Sequence, residues 1–458
     1  MKRLLLRRPC IGRGLPHDNR MNDKQAPAFA GATIVLAALF AFVSTPVLSQ
    51  TIAITGGKVV IGDGSAPIDG GTVLVANGRV VAAGSNIAIQ AGVQRIDATG
   101  KWVTPGIVAG FSRIGLAGVD GVDESNDTAA KSTPFSAALD IALAVNPDVE
   151  AISVNRAAGV TRAVVSPDAG NAIFAGQGAV IDTGADHDPI TRARAFQFVE
   201  FGQTGANHAG GSRPAIFATF RNALAEARDY QSGRLREDSL LKRADAAALV
   251  PVITGTQKLV VHAESATDIL AVLSLKREYP SLSLVLVGVT EGWRVADRIA
   301  AAGVPVIASA VNDLPAGFDQ IAATQSNVGR MKAAGVSVAI GMIDDDDTRQ
   351  AMHGAQYAGN LVALTRVPGA TGLSWNDAFA AITSKPAQAI GMGSEIGSLQ
   401  PGRRGDVVIW DGDPLEVTSG VEAVWIDGVR QPLETRQTRL RMRYAHPQEG
   451  NLPKAYDR

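Results

Sequence analysis

Beyond residue 50 the hydrophobic and polar positions fall into two textures. Over residues 51–104, short runs rich in Val and Ile (52–54, 58–61, 72–76 and 79–83) are punctuated by glycine, and none is long enough for a helix. Asn77-Gly78, between two of these runs, has the form of a type I′ hairpin turn. This stretch predicts a small β domain. From Pro105 to about Glu395, brief and nearly continuous apolar runs alternate with amphipathic segments. The runs at 107–111, 161–165, 196–201, 249–253, 259–262, 284–287, 305–308 and 337–340 have the character of strands buried on both faces. Helices are predicted between most of them, as at 266–278, 294–302 and 375–382. Ser374, three residues before Asp377, makes a capping box for the last. Eight strands alternating with helices over about 290 residues match a (β/α)₈ barrel, although the periodicity alone also allows a doubly wound sheet. After Ile396 the β texture returns at 406–410 and 421–426, with an Asp427-Gly428 turn. These strands are expected to complete the β domain begun at the other end of the chain.

The segment before this is different. Lys2, Arg3, Arg7, Arg8, Arg13 and Arg20 precede an apolar run over about 28–43, which gives way to Ser44-Thr45-Pro46-Val47-Leu48-Ser49. A basic region, an apolar run and a small-residue ending predict an export signal cleaved near Ser49-Gln50. The run is about 16 residues, short of the roughly 20 a bilayer span needs, so no stable anchor is expected after cleavage. The start lies at Met1 or Met21, and the mature protein is expected to be exported, to the periplasm. The resulting division is 1–49 signal region, 50–104 β-sandwich domain (first part), 105–395 barrel, 396–432 β-sandwich domain (second part) and 433–458 polar basic tail.

Composition narrows the function classes. The 458 residues are 46% hydrophobic and 19% charged, as a globular chain with a sizeable core requires. A net charge of −1 gives no reason to expect a nucleic-acid partner. Cys10 is the one cysteine, which excludes an intramolecular disulfide and a cysteine-built metal site.

Two stretches fix a family resemblance: Trp102-Val103-Thr104-Pro105-Gly106-Ile107-Val108, and Ile396-Gly397-Ser398-Leu399-Gln400-Pro401-Gly402-Arg403-Arg404-Gly405-Asp406-Val407-Val408-Ile409-Trp410, continued by Asp411-Gly412-Asp413-Pro414. Both resemble the signatures that bracket the barrel in the amidohydrolase superfamily, most closely its imidazolonepropionase-like branch. Ala158-Gly159-Val160-Thr161, Gly176-Gln177-Gly178-Ala179-Val180 and Lys385-Pro386-Ala387 add to the match. The resemblance implies a (β/α)₈ TIM-type barrel with a composite β-sandwich domain built from both chain ends. It also implies one or two divalent metals at the C-terminal mouth of the barrel, where a metal-bound hydroxide attacks an amide-type carbon.

The ligand pattern implied by the resemblance is largely absent. Where a His-x-His pair would end strand 1, the chain reads Ala109-Gly110-Phe111-Ser112-Arg113. Phe111 has no donor atom, and Arg113 carries a permanent charge that repels a metal. Strand 5 keeps its histidine in Leu259-Val260-Val261-His262-Ala263. Strand 6 has Gly288 where a histidine is expected, and strand 8 keeps an acid at Asp344, with Asp345 as the alternative. His262 and Asp344 are thus the surviving metal ligands if one divalent ion such as zinc is bound, a number below the three a hydrolytic zinc site typically needs. His187, His208, Glu264 and His353 are possible recruits. Lys258 lies at the wrong end of its strand to bridge metals. Without a metal, His262 is the candidate base and Arg113 the candidate stabiliser of an oxyanion. An Arg113–Asp344 ion pair is expected to replace the metal's charge. Two functions follow: hydrolysis of a carbon–nitrogen bond, other than in a peptide chain, of a small molecule by a site with a reduced ligand set, or an inactive exported barrel serving as a binding or scaffold protein.

Overall fold

The computed structural model describes residues 51–119, 121–343 and 349–445. The segment predicted as an export signal, Cys10, Asp344 and Asp345 lie outside the described residues, as does the end of the basic tail.

The two chain ends meet in one eight-stranded sheet. Its strands are β1 (Ile52–Val59), β2 (Ile68–Ala76), β3 (Arg79–Gly84), β4 (Gln94–Asp97) and β5 (Trp102–Pro105) from the N-terminal side. The C-terminal side returns β14 (Val407–Trp410), β15 (Val421–Ile426) and β16 (Val429–Arg430) after the barrel strands given below. The order is β16-β15-β14-β5-β1-β2-β3, with β4 also paired to β1. Asn77 and Gly78 take positive φ in the β2–β3 turn, as the hairpin motif requires.

The barrel consists of β6 (Ile107–Ser112), β7 (Val160–Val165), β8 (Phe174–Asp182), β9 (Ile190–Glu200), β10 (Lys258–Ala263), β11 (Ser283–Gly288), β12 (Val306–Ala308) and β13 (Val338–Ile340), neighbours in that order. The sheet nearly closes: Met342 N–H donates to the Phe111 carbonyl at 3.0 Å, beside Gly110, where a Cβ would lie 2.4 Å from the Ile340 carbonyl oxygen. Inward-facing Val108, Val164, Phe196, Phe198, Val260, Val285, Val287, Ile307 and Ala339 fill the interior. Ala387, Ile390, Met392 and Ile396 pack with them.

One predicted strand is corrected. Residues 249–253 end the helix Arg243–Ile253, which buries Ala246, Leu249, Val252 and Ile253 on one face. A short apolar run does not distinguish a buried helix face from a buried strand, and the alanines upstream carry the helix into it. The eighth strand is instead β8, which runs antiparallel to both β7 and β9. Its glycines disguise it as a loop, yet one of them is a packing requirement. Gly178 pairs with Phe196, whose ring would lie 2.0 Å from a Cβ there.

Arg162 joins the two sheets. Its guanidinium is fully buried and bonds Asp406 through Nε at 2.8 Å and Nη2 at 2.9 Å, Asp427 at 2.9 Å and Asp182 at 3.2 Å. One cation shared among three carboxylates leaves the longest-bonded one poorly compensated. Burial pushes the Asp182 carboxyl up to about 6, against the pull of Arg162.

Candidate functional site

Strand periodicity builds the site. On β9, Phe196, Phe198 and Glu200 lie two apart and share the inward face, and on β10 Val260 and His262 do the same, with Glu264 next beyond the strand end. The parallel register sets His262 against Glu200 on one side and Val287 on the other. The apolar layers therefore end in charged groups at the C-terminal mouth. Phe111, Phe198 and Val287 line the floor of a cleft of about 220 Å³, with Arg113, Asp168, Glu200, Thr204, His262, Glu264 and Gln320 around it. The Phe111 and Phe198 ring centroids are 5.5 Å apart.

His262 is held from both sides. Nδ1 lies 2.6 Å from Glu200 Oε2, and Nε2 lies 2.8 Å from Glu264 Oε1. Burial opposes charge on the ring, but Glu200 and then Glu264 outweigh it and hold the pKa well above the usual histidine value. An ionised carboxylate only accepts, so both ring nitrogens donate and the ring is an imidazolium. In that state it is an acid and has no lone pair for a metal or for a substrate proton.

Glu264 is fixed by the turn after β11. Gly288 and Val289 both have positive φ, at +87° and +58°, the second unusual for a β-branched residue. That pair of left-handed residues presents the Thr290 N–H to Glu264 Oε2 at 2.8 Å. The Val289 N–H is taken by the Ala263 carbonyl and its own carbonyl by Asn327 Nδ2, which hold the turn in place. Burial raises the Glu264 pKa, but His262 and Thr290 more than compensate and keep it below the usual range. A Cβ at Gly288 would lie 2.3 Å from Glu264 Oε1 and 2.8 Å from His262 Cδ2. The glycine where a histidine was expected is thus coupled to the inward turn of Glu264.

Of the residues singled out from sequence, His262 and Arg113 line the same cleft. Arg113 is buried and pairs with Asp168, Nη2 to Oδ1 at 3.1 Å. The expected Arg113–Asp344 approach falls on a residue outside the described ones. Glu264 is drawn into the site; His187 is exposed near Asp148, and His353 begins a helix with its ring 6.2 Å from Tyr357. His208 closes the helix Gly202–His208. Lys258 sits at the start of β10, bonded to Ser283 Oγ. Sequence reasoning missed Glu200 and Asp168. A lone carboxylate two residues beyond Phe198, on the same face of a buried strand, was the available signal for Glu200.

Among the described residues, the donor set does not fit the divalent metal that the resemblance implies. Both nitrogens of His262 are committed, Phe111 and Arg113 stand where ligands would end β6, and Glu264 fills the space beside Gly288. Among the described residues, no three His, Cys, Asp or Glu side chains are grouped to hold a metal ion.

Comparison with known proteins follows the same lines. Residues 293–430 match the model of a family described as the amidohydrolase family. The amidohydrolase tasK of Hapsidospora irregularis is 23% identical over 376 residues, covering 73% of this chain and 37% of that protein. An imidazolonepropionase of Maricaulis maris (strain MCS10) is 32% identical over 125 residues, 27% of this chain and 28% of the relative. The chain thus matches about 37% of the length of the first relative and 28% of the second. Among solved structures, an amidohydrolase from Thermotoga maritima MSB8 superposes with a TM-score of 0.73 at 24% identity, over 83% of this chain and 99% of that one. At that identity the likeness speaks for the fold.

Proposed function

The chain belongs to the amidohydrolase superfamily, and from that premise we propose that it hydrolyses a carbon–nitrogen bond of a small molecule with machinery rebuilt around Glu200, His262 and Glu264. The observation that carries the reading is the doubly bonded His262, a proton-loaded ring at the mouth of the barrel. Hydrolysis needs one group to take a proton from the attacking water and another to give one to the departing nitrogen. The Glu200–His262–Glu264 trio supplies the acid. The resemblance puts the acceptor at Asp344, and Arg113, a permanent cation in the cleft lining, is suited to steady an oxyanion. Members of the superfamily typically use a divalent metal; here the described donors do not fit one, and no step is routed through it. The basic and apolar pattern before Gln50 supports export to the periplasm.

A second reading has its own support. With both ring nitrogens bonded to carboxylates and an aromatic floor below, the trio is also what a ligand-binding barrel without turnover would keep. Metal analysis of the purified protein, with a hydrolysis screen on N-acyl amines, lactams and cyclic imides, separates the two. Turnover without stoichiometric metal, lost in His262→Ala, is the expected result. No turnover on any substrate class with ligand binding retained would establish the binding reading. Stoichiometric zinc required for activity would overturn the rebuilt-site mechanism.

A further inference from the structure

Glu200 holds the open valence of the trio. Its side chain is 5% exposed and lines the cleft. Oε2 is taken by His262, while Oε1 has no hydrogen-bond partner among the described residues. The other positions of the trio are filled: Glu264 Oε1 by His262, Glu264 Oε2 by the Thr290 N–H, and both ring nitrogens by carboxylates. Glu200 Oε1 is thus an unused carboxylate acceptor facing the cleft, open to an N–H donor from a ligand.

We propose that Glu200 Oε1 is the subsite for a small organic cation, a ligand group of the primary ammonium or amidinium kind that donates N–H into the cleft. A charge-assisted bond from such a group satisfies that oxygen. The Thr204 hydroxyl, also in the lining, offers a second acceptor. The volume of about 220 Å³ lies below the roughly 300–1,000 Å³ of most ligand sites, which restricts the group to a few heavy atoms. The proposal rests on reading the mouth as the ligand cleft and does not depend on turnover. If a carbon–nitrogen bond is cut there, the nitrogen side of the substrate lies against Glu200 and the amine product remains a ligand.

The test is calorimetric titration of the purified protein at neutral pH with propylammonium, propanol and propionate. Saturable binding of propylammonium alone is expected, weakened about tenfold or more in Glu200→Gln. In the unsubstituted protein, propylammonium and not propanol should also shift the His262 ring ¹⁵N resonances, a readout that stands if Glu200→Gln does not fold. Propylammonium without effect on either readout, unchanged affinity in a folded Glu200→Gln, or preference for propionate would each overturn the subsite. Ammonium binding with a blank hydrolysis screen would leave it standing and remove only the catalytic reading.

Discussion

At the scale of single residues, Gly288 shows how a lost ligand can be a change of design. Its φ of +87° is in the left-handed region, and the space a side chain would need holds the Glu264 carboxylate. Gly288→Ala is therefore expected to cost about 1–3 kcal/mol of stability, from backbone strain and from displacing Glu264. Denaturant unfolding of Gly288→Ala, Glu264→Ala and the double variant measures the coupling: part of the alanine penalty should vanish once Glu264 is removed. Strictly additive losses would mean that the two positions are independent. His262 was legible as a pocket residue from the motif around it. Its state was not, because whether it is base, ligand or imidazolium depends on two carboxylates brought in by strand register and by a turn.

At the scale of elements, the apolar floor and the charged rim come from the same alternation. Phe198 and Glu200 are two residues apart on one strand face, so the aromatic layer lies directly beneath the trio. Phe111, buried against Phe198, takes over a strand-1 position from which the resemblance implies a metal ligand. Phe111→Ala should destabilise the fold by about 3–5 kcal/mol, read as a fall in the denaturation midpoint at unchanged slope. A near-neutral result would show that the ring fills no space the barrel depends on. Seven of the eight predicted barrel strands are present at their predicted places. The failure at 249–253 and the unnoticed β8 have a common reason. Apolar runs and glycines report burial and backbone freedom, and only pairing partners convert them into strand or helix.

At the scale of the molecule, Arg162 ties the barrel to the sheet made from both chain ends, and the surrounding acids make that joint pH-sensitive. Asp182 holds its proton in the fold up to about pH 6, whereas an unfolded aspartate loses it near its ordinary value of 3.8. The folded state thus binds the extra proton between these limits, and Asp182's contribution to stability is lost as pH rises through the window. Relative to the unsubstituted protein, Asp182→Asn should gain about 2 kcal/mol between pH 4 and pH 7.5. Parallel pH profiles from denaturant titration would refute the assignment.

The sequence by itself determined the two textures, the turns at Asn77-Gly78 and Asp427-Gly428, the bracketing motifs and the absence of histidine at positions 111, 113 and 288. These are matters of local periodicity and of which atoms a side chain owns. Only the tertiary structure decided that β8 completes the barrel, that Arg162 joins the two sheets, and that His262 is clamped between Glu200 and Glu264. Each of these depends on register between strands far apart in the chain, where a carboxylate becomes a partner through position and not through spacing.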